Sequence, residues 1–201
     1  TSDDTDAAER VKIQYGTSMC YPVSSMGSHV SVVPNHQLNR KTPLHTRANV
    51  AYFGTFGYEL DLNKLSDEEI SEVKQQITFM KEYRELIQFG TFYRLKSPFE
   101  GNETAWMTVS EDKKTALVFW YRERNVVNAD FTRVRLQGLD PDFIYRNEYN
   151  GTENYGDELM NLGLLTTDCT AGEPTSEDAP CTDYESRIYV LTTVARIPSP
   201  L

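Results

Sequence analysis

The sequence has 201 residues, which is enough for one sizeable hydrophobic core or two smaller ones. Charged residues make up 25% and hydrophobic residues 39%, as in an ordinary globular protein, and no apolar run approaches the roughly 20 residues of a transmembrane helix. The formal net charge of −10 offers no basic surface, so we expect neither nucleic acid nor an anionic membrane as a partner, whereas a neutral sugar ligand is compatible with it.

The first 90 residues alternate helical and strand-like patterns. A short helix is predicted over residues 7–15, because apolar side chains recur on one face there. The strongest helix is predicted over residues 67–89, where Ser66 and Glu69 form a capping box at its start. The other predictions are, in chain order, a strand over 17–21, a polar loop over 23–41, a helix with Thr42 as N-cap and Pro43 in its first turn, and a strand over 50–62 in which Gly54 and Gly57 mark close backbone packing.

Residues 91–201 show a different pattern, with short strands separated by turns. The strands are predicted over 105–109, 115–122, 133–136, 143–145 and 187–194. Short strands at this spacing are typical of an antiparallel sandwich, and the aromatic run 119–121 is expected in its core. The fold class is therefore α/β followed by all-β, with the first unit fitting the last part of a parallel barrel or sheet.

Three cysteines are present. Cys169 and Cys181 flank a stretch rich in Pro, Ser, Thr and Asp, and a loop that cannot pack a core is a suitable place for a disulfide. Two free surface thiols are the alternative. Cys20 has apolar neighbours and is expected to be a small buried side chain.

The sequence contains two N-glycosylation motifs, at Asn102 and Asn150. Each is weak evidence by itself, but together with the paired cysteines they favour a secreted, glycosylated eukaryotic protein. The chain begins at Thr1 with neither an initiator Met nor a signal peptide, so we expect a piece of a longer protein, and the missing signal peptide does not decide the compartment.

Metal and nucleotide sites are not predicted. The three histidines, His29, His36 and His45, lack the spacing of convergent metal ligands, and there is no glycine-rich phosphate loop. We therefore expect no metal ion and no cofactor.

Ten short segments run in order through most of the chain. They are residues 1–10, 21–31, 33–36, 42–44, 49–51, 54–61, 93–95, 97–99, 138–141 and 155–160. This ordered set resembles the α-galactosidases (melibiases) of glycoside hydrolase family 36, in particular secreted enzymes of the fungal type. Any one segment is weak evidence, whereas the set in this order is highly specific.

The resemblance implies a particular place in a larger enzyme. Members of the family have a catalytic (β/α)8 barrel between an N-terminal β-supersandwich and a C-terminal β-sandwich. Residues 1–90 would then run from the end of barrel strand six through strands seven and eight with their helices, and residues 91–201 would form the C-terminal sandwich. The upstream part of the same enzyme is the implied partner, and homotetramers are common in the family.

The implied activity is hydrolysis of terminal α-galactose from melibiose, raffinose or galactomannan side chains by double displacement. A retaining glycosidase needs two carboxyl groups about 5 to 5.5 Å apart. The family nucleophile is the Asp of a Lys-Trp-Asp motif, which this chain lacks, since Trp106 and Trp120 lie in other contexts. The nucleophile is therefore expected upstream of Thr1.

The resemblance assigns the acid/base role to Asp4. The alternative, which the residues by themselves favour, is that the acidic residues 3–6 cap the following helix. Asp3 is expected beside Asp4 as a cap or at the edge of the substrate site. Ser28 and His29 are predicted in a loop after barrel strand seven as sugar contacts, and a loop that only shapes the pocket or contacts another subunit is the alternative.

Two other functions stay open from the sequence. The chain could belong to a non-catalytic carbohydrate-binding or interaction module, or to a galactosyltransferase similar to raffinose synthase. Product analysis with water competing against a sugar acceptor distinguishes hydrolysis from transfer.

Overall fold

The computed structural model describes residues 3–126, 131–166 and 183–196, and the chain forms two compact units, Thr1–Gly90 and Thr91–Leu201. The first unit contains, in chain order, α1 (Ala7–Thr17), β1 (Gly27–Ser31), α2 (Leu44–Ala51), β2 (Thr55–Glu59) and α3 (Asp67–Phe89), with 3-10 turns at Val23–Ser25 and Leu62–Lys64. Strands β1 and β2 are parallel neighbours, in a register that pairs Ser31 with Glu59. Because a parallel pair needs a crossover, α2 completes a β–α–β unit of the kind that builds a barrel.

The predicted strand over residues 17–21 is wrong. Helix α1 continues to Thr17 with Ser18 as its C-cap, and a turn follows. Cys20 lies in that turn and is exposed, so the prediction of a buried side chain is also wrong. The apolar neighbours on which that prediction depended are themselves exposed, Met19 at 60% and Tyr21 at 61%.

The predicted polar loop over residues 23–41 contains strand β1. Its sequence, Gly-Ser-His-Val-Ser, has a single large apolar residue, Val30, which is fully buried. Ser28 and Ser31 are buried as well, at 1% and 4% exposure. A strand whose buried positions carry hydroxyl groups does not show the apolar alternation by which strands are recognised.

The next helix and strand are displaced from their predicted positions. Val50 and Ala51, which the sequence placed in a strand, belong to the buried face of α2, and β2 begins only at Thr55. Pro43 occupies the N-cap position of α2 without a side-chain cap, so Thr42 does not have the capping role predicted for it.

Helix α3 begins as the sequence predicts. The Ser66 hydroxyl accepts a hydrogen bond from the Glu69 amide, and the Glu69 carboxylate accepts one from the Ser66 amide. The capping box is thereby confirmed, and Gly90 follows as the C-cap. The helix buries Val73, Gln76, Met80 and Ile87.

The second unit is an antiparallel β structure. Its elements are β3 (Thr91–Lys96), β4 (Glu103–Val109), β5 (Thr115–Arg122), β6 (Arg133–Val134), β7 (Phe143–Asn147), β8 (Glu153–Tyr155), α4 (Gly156–Asn161), β9 (Leu164–Leu165) and β10 (Glu185–Arg196). Six strands form one sheet in the order β3-β4-β5-β10-β7-β8, and β6 pairs with β9. All five predicted strands are present, while β3, β8, β9 and α4 were not predicted.

The core of the second unit lies between the six-stranded sheet and the β6–β9 pair. Val118 and Trp120 of β5 pack with Val134 and Leu164 of the smaller pair in one buried cluster. The aromatic run 119–121 is at most 2% exposed. Its expected place in the sandwich core is confirmed for Trp120, whereas Phe119 and Tyr121 lie outside that cluster, since alternate residues of a strand point to opposite faces. This two-layer packing is what defines a sandwich.

Among the described helices, none combines the length and apolar character needed to cross a membrane. The predicted disulfide between Cys169 and Cys181 lies outside the described residues.

The close backbone packing predicted at Gly54 is confirmed, whereas Gly57 has only a side-chain neighbour. A Cβ atom at Gly54 would lie 2.6 Å from the Ser28 Cβ and 2.7 Å from the Met26 carbonyl oxygen, and one at Gly57 would lie 2.9 Å from the His29 ring. These contacts are shorter than any ordinary carbon contact. At Gly54 the contacts are with the buried Ser28 and with backbone, so the chain can lie this close to β1 only with glycine there. At Gly57 the contact is with the exposed His29 ring, which can move aside.

Replacing Gly54 with alanine should lower the free energy of unfolding by about 1–3 kcal/mol, because the added methyl forces the strands apart. Gly16→Ala is the matched control: nothing lies within 4 Å of its Cβ position in helix α1, and alanine there should stabilise by up to about 1 kcal/mol. Urea denaturation of the purified variants measures both. Equal stability of Gly54→Ala and the unmodified protein would contradict the packing described.

Candidate active site

Asp4 lies in the extended segment immediately before α1, at the carboxyl end of β1. Ser31 is the last residue of β1, and its hydroxyl donates a 2.6 Å hydrogen bond to the Thr5 carbonyl. Because β1 and β2 are parallel, Ser31 and Glu59 mark the same edge of the sheet. In (β/α)8 barrels the catalytic residues are at this carboxyl edge.

The structure separates the two roles that the sequence left open for the acidic residues. Asp6 is the N-cap of α1, since its carboxylate accepts a 3.1 Å hydrogen bond from the Glu9 amide. The partly buried Asp4 carboxylate instead accepts a 2.8 Å hydrogen bond from the Asp6 amide. Asp3 is exposed. Capping is therefore done by Asp6, and Asp4 projects from the segment that precedes the cap.

Asp6 is also joined to the loop that follows β1. Its side chain is buried, at 1% exposure, and forms an ion pair with the Arg40 guanidinium. Arg40 lies 3.7 Å from the Glu9 carboxylate as well. A buried carboxylate needs such a paired charge, because its desolvation is otherwise unfavourable. The pair fixes the start of α1 against residues beyond the carboxyl end of β1.

Arg10 is a basic residue of α1 whose pKa is affected by the charge of Asp4. Its guanidinium donates a 2.5 Å hydrogen bond to the Gly27 carbonyl at the start of β1. Burial lowers the pKa of Arg10, and the negative charge of Asp4 opposes this shift. An arginine remains protonated at neutral pH, so Arg10 contributes a fixed positive charge to the surroundings of Asp4.

Thr5 and Ser31 are held by two further side chains that the sequence did not single out. Asn35, which is 3% exposed, donates a 3.2 Å hydrogen bond to the Thr5 hydroxyl. Arg47, which is 5% exposed, donates to the Ser31 carbonyl over 2.6 Å and to the Thr42 carbonyl over 3.2 Å. Burial lowers the pKa of Arg47, opposed by the charges of acidic residues at the start of α3. Ser31 and Asn35 lie in segments that carry the family resemblance, whereas nothing in the sequence pattern marks Arg47 as buried.

Ser28 and His29 lie within β1, so their predicted position in a loop after the strand is wrong. Ser28 is buried and its hydroxyl donates a 2.9 Å hydrogen bond to Gln14 of α1. The His29 side chain is 49% exposed, with its Nδ1 3.7 Å from the Glu59 carboxylate. The strand thus turns Ser28 towards a helix and His29 to the opposite face. Sugar contact by either residue stays a prediction.

The described residues bring one carboxyl group, Asp4, to the segment that is bonded to the carboxyl edge of two parallel strands. Within the described ranges no three His, Cys, Asp or Glu side chains come together to hold a metal ion. A positioned carboxyl group of this kind suits proton transfer to or from a reacting oxygen.

Two family models match the chain. The model described as Melibiase matches residues 1–90, and the model described as Glycosyl hydrolase family 36 C-terminal domain matches residues 103–191.

The relatives of the chain are α-galactosidases from bacteria and fungi. Alpha-galactosidase AgaA of Geobacillus stearothermophilus is 56% identical over 164 residues, which is 82% of this chain and 22% of AgaA. Probable alpha-galactosidase G of Aspergillus terreus is 44% identical over 165 residues, or 82% of this chain and 23% of that protein.

Solved structures agree with this result. The crystal structure of a variant of the family 36 α-galactosidase AgaA in complex with raffinose superposes with a TM-score of 0.88 and 48% identity, covering 96% of this chain and 25% of that one. The chain thus spans about a quarter of the proteins that it matches. Both units are matched, each by its own family model, and the chain belongs to glycoside hydrolase family 36.

Proposed function

We propose that this chain is the C-terminal part of a retaining α-galactosidase and that Asp4 is its acid/base residue. The observation that carries the proposal is the hydrogen bond from Ser31 to the Thr5 carbonyl, because it holds the segment of Asp4 against the last residue of a parallel strand. The residue that follows Asp4 is thereby fixed at the edge where barrel enzymes carry their chemistry.

The proposed reaction proceeds in two steps. A carboxylate from another part of the protein attacks the anomeric carbon while the glycosidic C–O bond breaks, and Asp4 gives its proton to the departing oxygen. The Asp4 carboxylate then takes a proton from water as that water attacks the same carbon, and the bond between this carbon and the other carboxylate breaks. Galactose leaves with its configuration retained, and both carboxyl groups return to their initial states.

The substrate class follows from the relatives. AgaA was crystallised in complex with raffinose, whose terminal galactose is α-linked. We therefore assign to the full protein terminal α-galactosides such as raffinose and melibiose, with hydrolysis rather than transfer as the main reaction. Galactosyl transfer in place of hydrolysis would appear as a larger galactoside when a sugar acceptor competes with water.

Asp4→Asn should impair only the steps that need a proton. In the full protein we expect kcat/KM for raffinose to fall by about 10²–10⁴, the usual contribution of a general acid. The value for nitrophenyl α-galactoside should fall far less, because nitrophenolate leaves without protonation. Steady-state kinetics with both substrates measures the difference.

Asp157→Asn is the control for this experiment. Asp157 is exposed in the first turn of α4 and accepts a 2.7 Å hydrogen bond from the next amide, so the same change is made at a helix start in the second unit. It should leave both kcat/KM values unchanged. If Asp4→Asn lowered kcat/KM equally for the two substrates, or lowered it for neither, the acid/base assignment would be wrong.

Secretion and a fungal-type origin remain our proposal, supported by the two glycosylation motifs and the cysteine pair.

The two glycosylation motifs differ in how accessible their residues are in the structure. Asn102 uses its side-chain amide to donate to the Arg124 carbonyl over 2.7 Å and to accept from the Arg124 amide over 2.9 Å. Thr104 of the same motif is 2% exposed. Asn150 is exposed, and its carbonyl oxygen accepts hydrogen bonds from the amide and hydroxyl of Thr152.

We expect glycan on Asn150 and little on Asn102 when the protein is made in a eukaryotic secretory pathway. Asn150→Gln should then abolish the mass lost on endoglycosidase treatment, while Asn102→Gln should leave it unchanged. Intact-mass spectrometry of the secreted variants measures this. A glycan on Asn102 in the folded protein would contradict the site preference.

A further inference from the structure

We propose that Ser31 is a positioning residue for the acid/base carboxyl of Asp4. The inference rests on the function proposed above for Asp4. In this role Ser31 acts on Asp4 through the peptide that joins Thr5 to Asp6. Ser31 belongs to a continuous set of hydrogen bonds in the first unit that also includes Arg47, Thr5 and Asn35.

The first contact joins strand β1 to the segment of Asp4. The Ser31 hydroxyl donates to the Thr5 carbonyl over 2.6 Å, and Ser31 is 4% exposed. The Thr5 carbonyl and the Asp6 amide belong to one planar peptide group, and that amide donates to the Asp4 carboxylate over 2.8 Å. A shift of this carbonyl therefore moves the hydrogen-bond donor that holds the Asp4 carboxylate.

The second contact makes Ser31 a fixed donor. Arg47 donates to the Ser31 carbonyl over 2.6 Å, and its Nε donates to the Thr42 carbonyl over 3.2 Å. Arg47 belongs to helix α2, whose buried face packs on the sheet. A guanidinium with two donors on backbone carbonyls holds the end of β1 in one position, because its planar fork has a fixed geometry.

The third contact limits rotation of the same segment. Asn35 donates to the Thr5 hydroxyl over 3.2 Å, while its own carbonyl oxygen accepts from the Gln37 and Leu38 amides at 2.9 and 3.0 Å. Thr5 is thus held at both its backbone and its side chain. Asp4 accepts its own hydrogen bond from the Asp6 amide one residue further on.

Such an arrangement is demanded by the chemistry of a general acid. Catalytic groups must be held within about 0.5 Å of the productive geometry, and a displacement of about 1 Å can lower the rate about a hundredfold. Ser31 supplies the direct contact between the strand end and the Asp4 segment. Its loss should move the proton donor without removing it.

The test uses Ser31→Ala in the full protein. We expect kcat/KM for raffinose, whose leaving group needs a proton, to fall by about tenfold to a hundredfold. The value for nitrophenyl α-galactoside should fall by less than about threefold, because protonation of that leaving group is not needed. Ser31→Thr, which keeps the hydroxyl, should restore the raffinose value to within about threefold of the unmodified protein.

Ser18→Ala is the matched control. The Ser18 hydroxyl donates to the Tyr15 carbonyl over 2.7 Å at the other end of α1, so the variant loses a comparable serine-to-carbonyl bond. Its Tm should drop about as much as that of Ser31→Ala, with both kcat/KM values unchanged. If Ser31→Ala does not fold, Ser31→Cys replaces it under the same criteria, since a thiol has similar size and donates weakly.

The outcomes separate the two proposals. One outcome overturns the positioning role alone: Asp4→Asn lowers kcat/KM selectively for raffinose, while Ser31→Ala does not. In that case Ser31→Ala either matches Ser18→Ala or loses kcat/KM equally for both substrates. No selective loss in Asp4→Asn overturns the acid/base assignment and the positioning role together. Selective loss in both variants, with rescue by Ser31→Thr, supports the positioning role.

Discussion

The parallel pairing of β1 with β2 determines the edge of the sheet to which the Asp4 segment is bonded. Parallel strands bring their carboxyl ends to one edge, and in this chain that edge is marked by Ser31 and Glu59. Gly54 allows the pairing, because a side chain there would overlap with Ser28 of β1. The segment that carries Asp4 is bonded to this edge through Thr5.

Buried polar groups, rather than apolar contacts, hold this edge together. Asp6 is paired with Arg40, and Arg47 donates only to backbone carbonyls in its described hydrogen bonds. Each buried charge is costly to desolvate, so each has partners that limit it to one geometry. Hydrogen bonds are directional, and for that reason such a network can fix a carboxyl group more closely than apolar packing does.

The second unit was easier to predict than the first. Its strands β4 and β5 are almost wholly buried and rich in aromatic and β-branched residues, so their pattern is strong over seven or eight positions. The shorter strands β8 and β9 have three and two residues, too few for any periodicity. Strand β1 was not predicted for a different reason: its buried positions include two serines, whose hydrogen-bond partners are distant in the sequence.

The sequence by itself determined the α/β-then-β order, the capping box of α3, the close packing at Gly54 and, through resemblance, the family. These depend on local chemistry or on ordered motifs, which are read directly along the chain. Only the tertiary structure decided that Asp6 caps α1 while Asp4 does not, that Ser28 faces Gln14, and that Ser31 and Arg47 hold the Asp4 segment. For Ser28, Ser31 and Arg47 the physical reason is range, because their partners lie far away in the chain and a pattern along the chain cannot say which buried donor meets which acceptor. For Asp4 and Asp6 it is local backbone geometry, which decides which amide each of two neighbouring carboxylates meets.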